Sequence, residues 1–168
     1  MPLLQPRRMV RHITDLPVSF FAENGIRAVI LDVDNTLTTH GNPVPAEGVP
    51  EWIAQMQEAG VQLAILSNNN RERVEPFARV LGLDFVAMAC KPLPFGVARA
   101  CRRYSLRPEQ AALIGDQVFT DMMSGNLGGV YTILVEPYKL ESGWFFRLKR
   151  RLEKPVIRRY QRRKGERE

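Results

Sequence analysis

Apolar residues in this chain gather in short, largely β-branched runs separated by stretches of helical period. Residues 27–33 (RAVILDV), 62–66 (QLAIL), 84–89, 111–114 and 131–135 are predicted as five buried strands. Between them, residues 49–60 place Trp52, Ile53 and Met56 on one stripe, with Pro50 in the first turn and Gly60 closing it. Residues 71–81 align Val74, Phe77, Ala78 and Leu81 ahead of Gly82, and Asn70 stands where an N-cap belongs. Residues 94–104 and 120–127 are predicted as further helices, and Gly128-Gly129 as a C-cap turn before the last strand. Apolar strands alternating with helices through short loops form a parallel sheet covered on both faces, an α/β fold. In such sheets ligands bind at the carboxyl ends of the strands, near the switch in strand order.

Polar residues suited to chemistry do gather there. The first strand runs into Asp32-Val33-Asp34-Asn35-Thr36, the second into Ser67-Asn68-Asn69, the third into Lys91-Pro92, and the fourth into Gly115-Asp116 with Asp121 just beyond. Carboxylates converging at one edge repel unless a cation lies among them, and oxygen donors suit Mg²⁺. Asp32 and Asp116 are the natural ligands. Asp32 and Asp34 are two residues apart and would share a side of an extended strand, one attacking phosphorus and the other moving a proton. Ser67 and Lys91 supply a hydroxyl and a fixed positive charge for a phosphoryl group. His40 lies beside Gly41 and reads as solvated loop or substrate rim.

These segments resemble the four motifs of the haloacid dehalogenase (HAD) superfamily: DVDNT for the first, Ser67, Lys91, and Gly115-Asp116 through Asp121 for the rest. More narrowly, ILDVDNTL, AILSNN, KP and LIGDQVFTDMMSGNLGG resemble the YqeG family of subclass IIIA HAD phosphatases, over about residues 3–137. The resemblance implies a Rossmann-like HAD fold with a five-stranded parallel sheet in the order 3-2-1-4-5 and helices on both faces. It implies Asp32 as nucleophile through an aspartyl-phosphate and Asp34 as acid and base, its backbone carbonyl also binding Mg²⁺. Ser67 and Lys91 hold the phosphoryl group, and Asp116 is a Mg²⁺ ligand. Thr36, Asn68 and Asp121 are supporting residues, with Asp121 steadying Lys91 or the metal shell. Residues 37–48 form a loop, and only one helix and one strand lie between Ser67 and Lys91, so there is no room for a cap domain. An uncapped site stays open to large substrates.

Composition adds a boundary. Of the 168 residues, 45% are hydrophobic and 25% charged, as in a globular protein with a real core. Cys90 and Cys101 have neither CxxC nor metal spacing and read as plain thiols. No apolar run reaches membrane-spanning length, and Arg7 and Arg8 precede no leader-like apolar stretch, so the expected location is cytoplasmic. The net charge of +6 is unevenly spread: residues 147–168 carry 11 Lys+Arg against 3 Asp+Glu. Residues 1–137 thus read as the phosphatase domain and 138–168 as a basic amphipathic helical tail, divided into two helices by Pro155. Trp144, Phe145, Arg147, Lys149, Arg150 and Arg151 fit an anionic lipid surface. A tail docked on its own domain, or engaging RNA or ribosomes, is the alternative. The YqeG-like group is also similar to mitochondrial and plastid phosphatidylglycerophosphate phosphatases. This implies a headgroup phosphomonoester as favoured substrate, with peripheral membrane association. Soluble nucleotides, sugar phosphates or phosphoproteins are the rival substrates.

Overall fold

The computed structural model describes residues 3–139 and 144–165, without the side chains of residues 145–147, 149–150 and 163–165. Six parallel strands form one sheet: β1 (Arg8–Val10), β2 (Ala28–Leu31), β3 (Gln62–Leu66), β4 (Asp84–Val86), β5 (Ala111–Gly115) and β6 (Tyr131–Val135). Their order is β1-β6-β5-β2-β3-β4. The five predicted strands keep their predicted neighbours, and the correction is a sixth. β1 pairs with β6 and becomes the edge strand. With only three residues, it is too short to declare a period of two. The strand expected at 84–89 ends at Val86, because Met88 and Cys90 adopt left-handed backbone conformations.

Alternate residues of each central strand face opposite sides. Val29 and Leu31 enter a core with Phe21, Trp52, Ile53, Met56, Val74 and Phe77. These come from α1 (Val18–Glu23), α2 (Val49–Glu58) and α3 (Arg71–Leu81). Ile30 and Leu66 face the other way, onto Val97 and Ala100 of α4 (Phe95–Arg103). Each fully buried aliphatic side chain contributes about 1.5–3 kcal/mol, so this two-sided burial supplies the main drive for the layered arrangement. Asn70 caps α3 as expected, its Oδ1 accepting from Arg73 N–H at 3.2 Å. Gly129, at φ +75°, ends α5 (Met123–Gly128) in the left-handed conformation expected of the Gly-Gly pair. The helix expected from Thr120 starts earlier, as a π-helical turn over Val118–Met122 that leads into α5.

The tail differs from expectation. Trp144–Gly165 is one helix, α6, running through Pro155. Proline removes the N–H that would bond the Arg151 carbonyl, but both residues are exposed and water can take that carbonyl. The inner face of α6 docks through Val156 and Ile157 against Val118, Met122 and Leu134, beside Leu4 and Met9. The predicted segment at residues 140–143 lies outside the described residues, as do the side chains of Phe145, Arg147, Lys149 and Arg150. No described helix is long and apolar enough to cross a membrane.

Candidate active site

Register brings the site together. Leu31 of β2 lies opposite Ile114 of β5, so the residues that follow them, Asp32 and Gly115-Asp116, leave the sheet side by side. Asp32 N–H bonds the Ile114 carbonyl at 2.9 Å, which fixes the point of departure. The loops after β3 and β4 end at the same edge, carrying Ser67 and Lys91.

Lys91 is the hub. Its Nζ donates to Asp32 Oδ1 at 2.5 Å and to Asp121 Oδ1 at 2.7 Å. All three residues are buried. Burial alone would push the Lys91 ammonium down, but the charges of Asp121 and Asp32 outweigh it and hold the group above its ordinary range. Burial is also the largest influence on Asp32 and raises its carboxyl to about 7; Lys91 pulls it down and Asp121 pushes it up. Asn68 holds Lys91 from the side: its Oδ1 accepts from Lys91 N–H at 2.7 Å and its Nδ2 donates to the Lys91 carbonyl at 2.9 Å. Ser67, also buried, accepts from Asn69 N–H at 3.2 Å, so its own hydroxyl proton can be aimed at a phosphoryl oxygen.

Oxygens of Asp32, Asp116 and Asp121 lie within 4.8 Å of one another. Three buried carboxylates carry more negative charge than one ammonium neutralises, and an all-oxygen donor set fits a hard divalent cation. The residues present therefore suit a metal of the Mg²⁺ kind. Asp121 has its oxygens engaged by Lys91 and by Gln117 N–H (3.1 Å), which places it as the partner of Lys91. Gly115 permits this arrangement. A Cβ there would meet the Asp121 carboxyl carbon at 2.4 Å, so any larger residue would displace the carboxylate.

Asp34 follows two residues after Asp32, and its charge reaches the Asp32 carboxyl and helps to push it up. The strand ends at Leu31, and beyond it the chain turns. The Asp34 carboxylate accepts from Gly41 N–H at 2.9 Å and from Asn69 Nδ2 at 3.1 Å. His40 Nδ1 and an Arg73 nitrogen lie 3.4 and 3.6 Å away. The Asp34 side chain thus stands outside the carboxylate cluster, leaving its backbone carbonyl as the only metal donor the sequence reading assigned to it. Instead it lines a cleft of about 110 Å³ with Ser67, Asn69, Arg73, Asn42 and Pro43. His40 is exposed beside Asp34 and is not among the residues that line the cleft. Thr36 is buried, and its hydroxyl has no hydrogen-bond partner among the described residues. Sequence reasoning named Asn69 only as part of the Ser67-Asn68-Asn69 run and missed Arg73 as a wall residue; the i, i+3 step from the Asn70 cap to Arg73 was the available signal. Trp144 and Arg151 lie on exposed parts of α6.

Comparison with known proteins agrees with this geometry. A family model described as haloacid dehalogenase-like hydrolase matches residues 42–129, and one described as mitochondrial PGP phosphatase matches residues 2–76. The chain is 35% identical over 152 residues to the probable phosphatase YqeG of Bacillus subtilis (strain 168), spanning 90% of this chain and 88% of that protein. It is 24% identical over 166 residues to the chloroplastic/mitochondrial phosphatidylglycerophosphate phosphatase 1 of Arabidopsis thaliana, spanning 92% of this chain and 47% of that one. Among solved structures, the cobalt-bound deoxy-D-mannose-octulosonate 8-phosphate phosphatase (YrbI) of Haemophilus influenzae shares the fold. Its TM-score is 0.54 at 19% identity, with 77% of each chain covered. Strand order, the carboxylate cluster around Lys91 and the extent of the YqeG match lead to one assignment: this chain belongs to the haloacid dehalogenase-like hydrolases, as a phosphatase of the YqeG family.

Proposed function

We propose that the chain is a Mg²⁺-dependent phosphomonoester hydrolase that works through an aspartyl-phosphate on Asp32, with phosphatidylglycerophosphate at a membrane surface as favoured substrate. The observation that carries the chemistry is the gathering of Asp32, Asp116 and Asp121 around the Lys91 ammonium. A carboxylate oxygen of Asp32 attacks phosphorus, and the ester oxygen leaves with a proton from Asp34. Asp34 then takes a proton from water, whose oxygen displaces Asp32 and releases inorganic phosphate. Lys91 and Ser67 stabilise the charge on the phosphoryl oxygens throughout. Asp32, Asp116 and the Asp34 carbonyl would hold the cation, which supplies further charge neutralisation at the phosphoryl group.

Two features support a substrate whose bulk stays outside the protein. The cleft of about 110 Å³ is well below the roughly 300–1,000 Å³ of pockets that enclose small ligands, so it suits a phosphoryl group more than a whole metabolite. The outer face of α6 supports a lipid surface. Trp144, Leu148 and Leu152 recur every four residues and are 73%, 47% and 56% exposed. Arg151, Lys154, Arg158, Arg159 and Arg162 are exposed along the same helix. Apolar and cationic groups sharing a solvent face match an anionic headgroup layer. On this reading the protein works peripherally, at the cytoplasmic face of a membrane.

The test is phosphate release from phosphatidylglycerophosphate in mixed micelles with Mg²⁺, beside a panel of soluble phosphomonoesters, with Asp32→Asn as the blank. Preference for the lipid is expected. Turnover of soluble esters alone would remove the membrane reading and leave the hydrolytic chemistry standing.

A further inference from the structure

α6 carries ten basic residues and one acid, Glu153. An acid in such surroundings would ordinarily sit outward, beside Lys149 or Arg150 one turn back. Glu153 does the opposite. It is 1% exposed, on the inner face with Val156 and Ile157. Burying a carboxylate is costly unless hydrogen bonds compensate, so the position asks for a cause. Its Oε1 accepts from Val118 N–H at 2.9 Å.

Val118 begins the π-helical turn that carries Asp121. Gln117, just before it, holds that turn from both sides. Its carbonyl accepts from the N–H groups of Asp121 (2.9 Å) and Met122 (3.2 Å), and its own N–H donates to Asp121 Oδ2 at 3.1 Å. Asp121 Oδ1 in turn takes the Lys91 ammonium, which reaches Asp32. Asp116 precedes the same turn. Glu153 is therefore joined to the Asp32 carboxylate through Val118-Gln117, Asp121 and Lys91, each link a hydrogen bond or a peptide bond.

We infer that Glu153 is a positioning residue for the phosphatase reaction, tying α6 to the loop that sets Asp116, Asp121 and Lys91. The inference rests on reading that cluster as the phosphatase site. It gives α6 a second task besides the one on its outer face: the helix completes the active site from behind. Loss of the Glu153 acceptor frees the 116–122 loop, lowers turnover and weakens metal activation. It has little effect on KM, because neither Glu153 nor the 116–122 loop is among the residues that line the cleft with Ser67, Asn69 and Arg73.

The experiment uses the full chain with p-nitrophenyl phosphate and a Mg²⁺ titration. Wild type against Asp32→Asn first establishes the site itself; equal rates there would overturn the site reading before Glu153 is considered. Glu153→Leu fills the volume without an acceptor. Glu153→Asp keeps the charge but withdraws the oxygen by one methylene, and decides the matter should the leucine variant fail to fold. Glu153→Gln retains an acceptor oxygen. Val156→Ala removes packing from the same face. The expected result is a fall in kcat of about tenfold or more for the Leu and Asp variants, since small displacements of catalytic groups are costly. KM should stay within about twofold and half-activation by Mg²⁺ should rise severalfold. Glu153→Gln should recover most of the rate, and Val156→Ala should lose thermal stability while keeping kcat. Unchanged kcat and Mg²⁺ activation in folded Glu153→Leu or Glu153→Asp would overturn the inference. So would equal losses of kcat in Val156→Ala.

Discussion

Asn68 holds the backbone of Lys91 by both its polar groups, accepting from the N–H at 2.7 Å and donating to the carbonyl at 2.9 Å. An amide side chain is what this reciprocal grip requires, because it offers one acceptor and one donor in a single plane. Asn68→Ala should lower kcat by about 10- to 100-fold through misplacement of the ammonium. Asn68→Asp should also fail, since it presents an oxygen to the Lys91 carbonyl. Steady-state kinetics on a soluble ester checks both, with circular dichroism to confirm folding.

Asp32 and Asp34 occupy different surroundings and should fail differently. Asp32→Asn should lose about 10³-fold or more, because no nucleophile remains. Asp34→Asn retains the nucleophile and loses the proton transfers, so phosphoenzyme should accumulate with a substrate whose leaving group needs no protonation. Acid-quenched intact mass spectrometry would show the added phosphoryl group in Asp34→Asn and none in Asp32→Asn.

The buried Asp32 carboxyl gives the metal-free protein a pH-dependent stability. Its folded value of about 7 lies above the ordinary carboxylate value near 3.8, so the folded state holds a proton that the unfolded state has released. The contribution is complete below about pH 4 and is lost as pH rises to about 7. In EDTA, Tm should therefore fall between pH 5 and 7.5, and fall less in Asp32→Asn. Calorimetry of both proteins across that range decides it; parallel curves would show that Asp32 does not carry the effect.

Outer-face charges on α6 should act on surface binding and leave chemistry alone. Each basic residue near an anionic membrane contributes about 1 kcal/mol, so Arg151→Gln with Arg158→Gln should weaken vesicle partitioning by roughly 30-fold. Sedimentation with phosphatidylglycerol vesicles at low and high salt measures this. The rate on p-nitrophenyl phosphate should not change.

Stability of α3 offers a simpler check. Asn70→Ala removes the acceptor for Arg73 N–H and should destabilise the protein by about 1 kcal/mol in urea unfolding.

What the sequence made legible follows from where the signals lie. Asp32, Asp116, Ser67 and Lys91 each stand just past an apolar run, and a parallel sheet leaves only one edge where such positions meet. The partners that hold the Asp34 side chain, Gly41 N–H and Asn69 Nδ2, were not legible, because they come from loops without period. β1 was hidden by its length, and the continuity of α6 by Pro155, whose cost is small where the freed carbonyl is wet. Glu153 could not be found from pattern, since an acid among arginines looks like part of a solvated face. Only the docking of the helix turns it inward.

The pairing of β1 with β6 also bears on how the molecule is made. Arg8 lies opposite Ile133, so β1 cannot find its neighbour until more than a hundred further residues have emerged. Contacts so distant in sequence form late, after the interior of the sheet is laid down. The segment around β1, with the apolar Leu4 and Met9, must wait uncovered until β6 and then α6 arrive. That waiting period is when the nascent chain is most open to capture by a chaperone or to association with another copy.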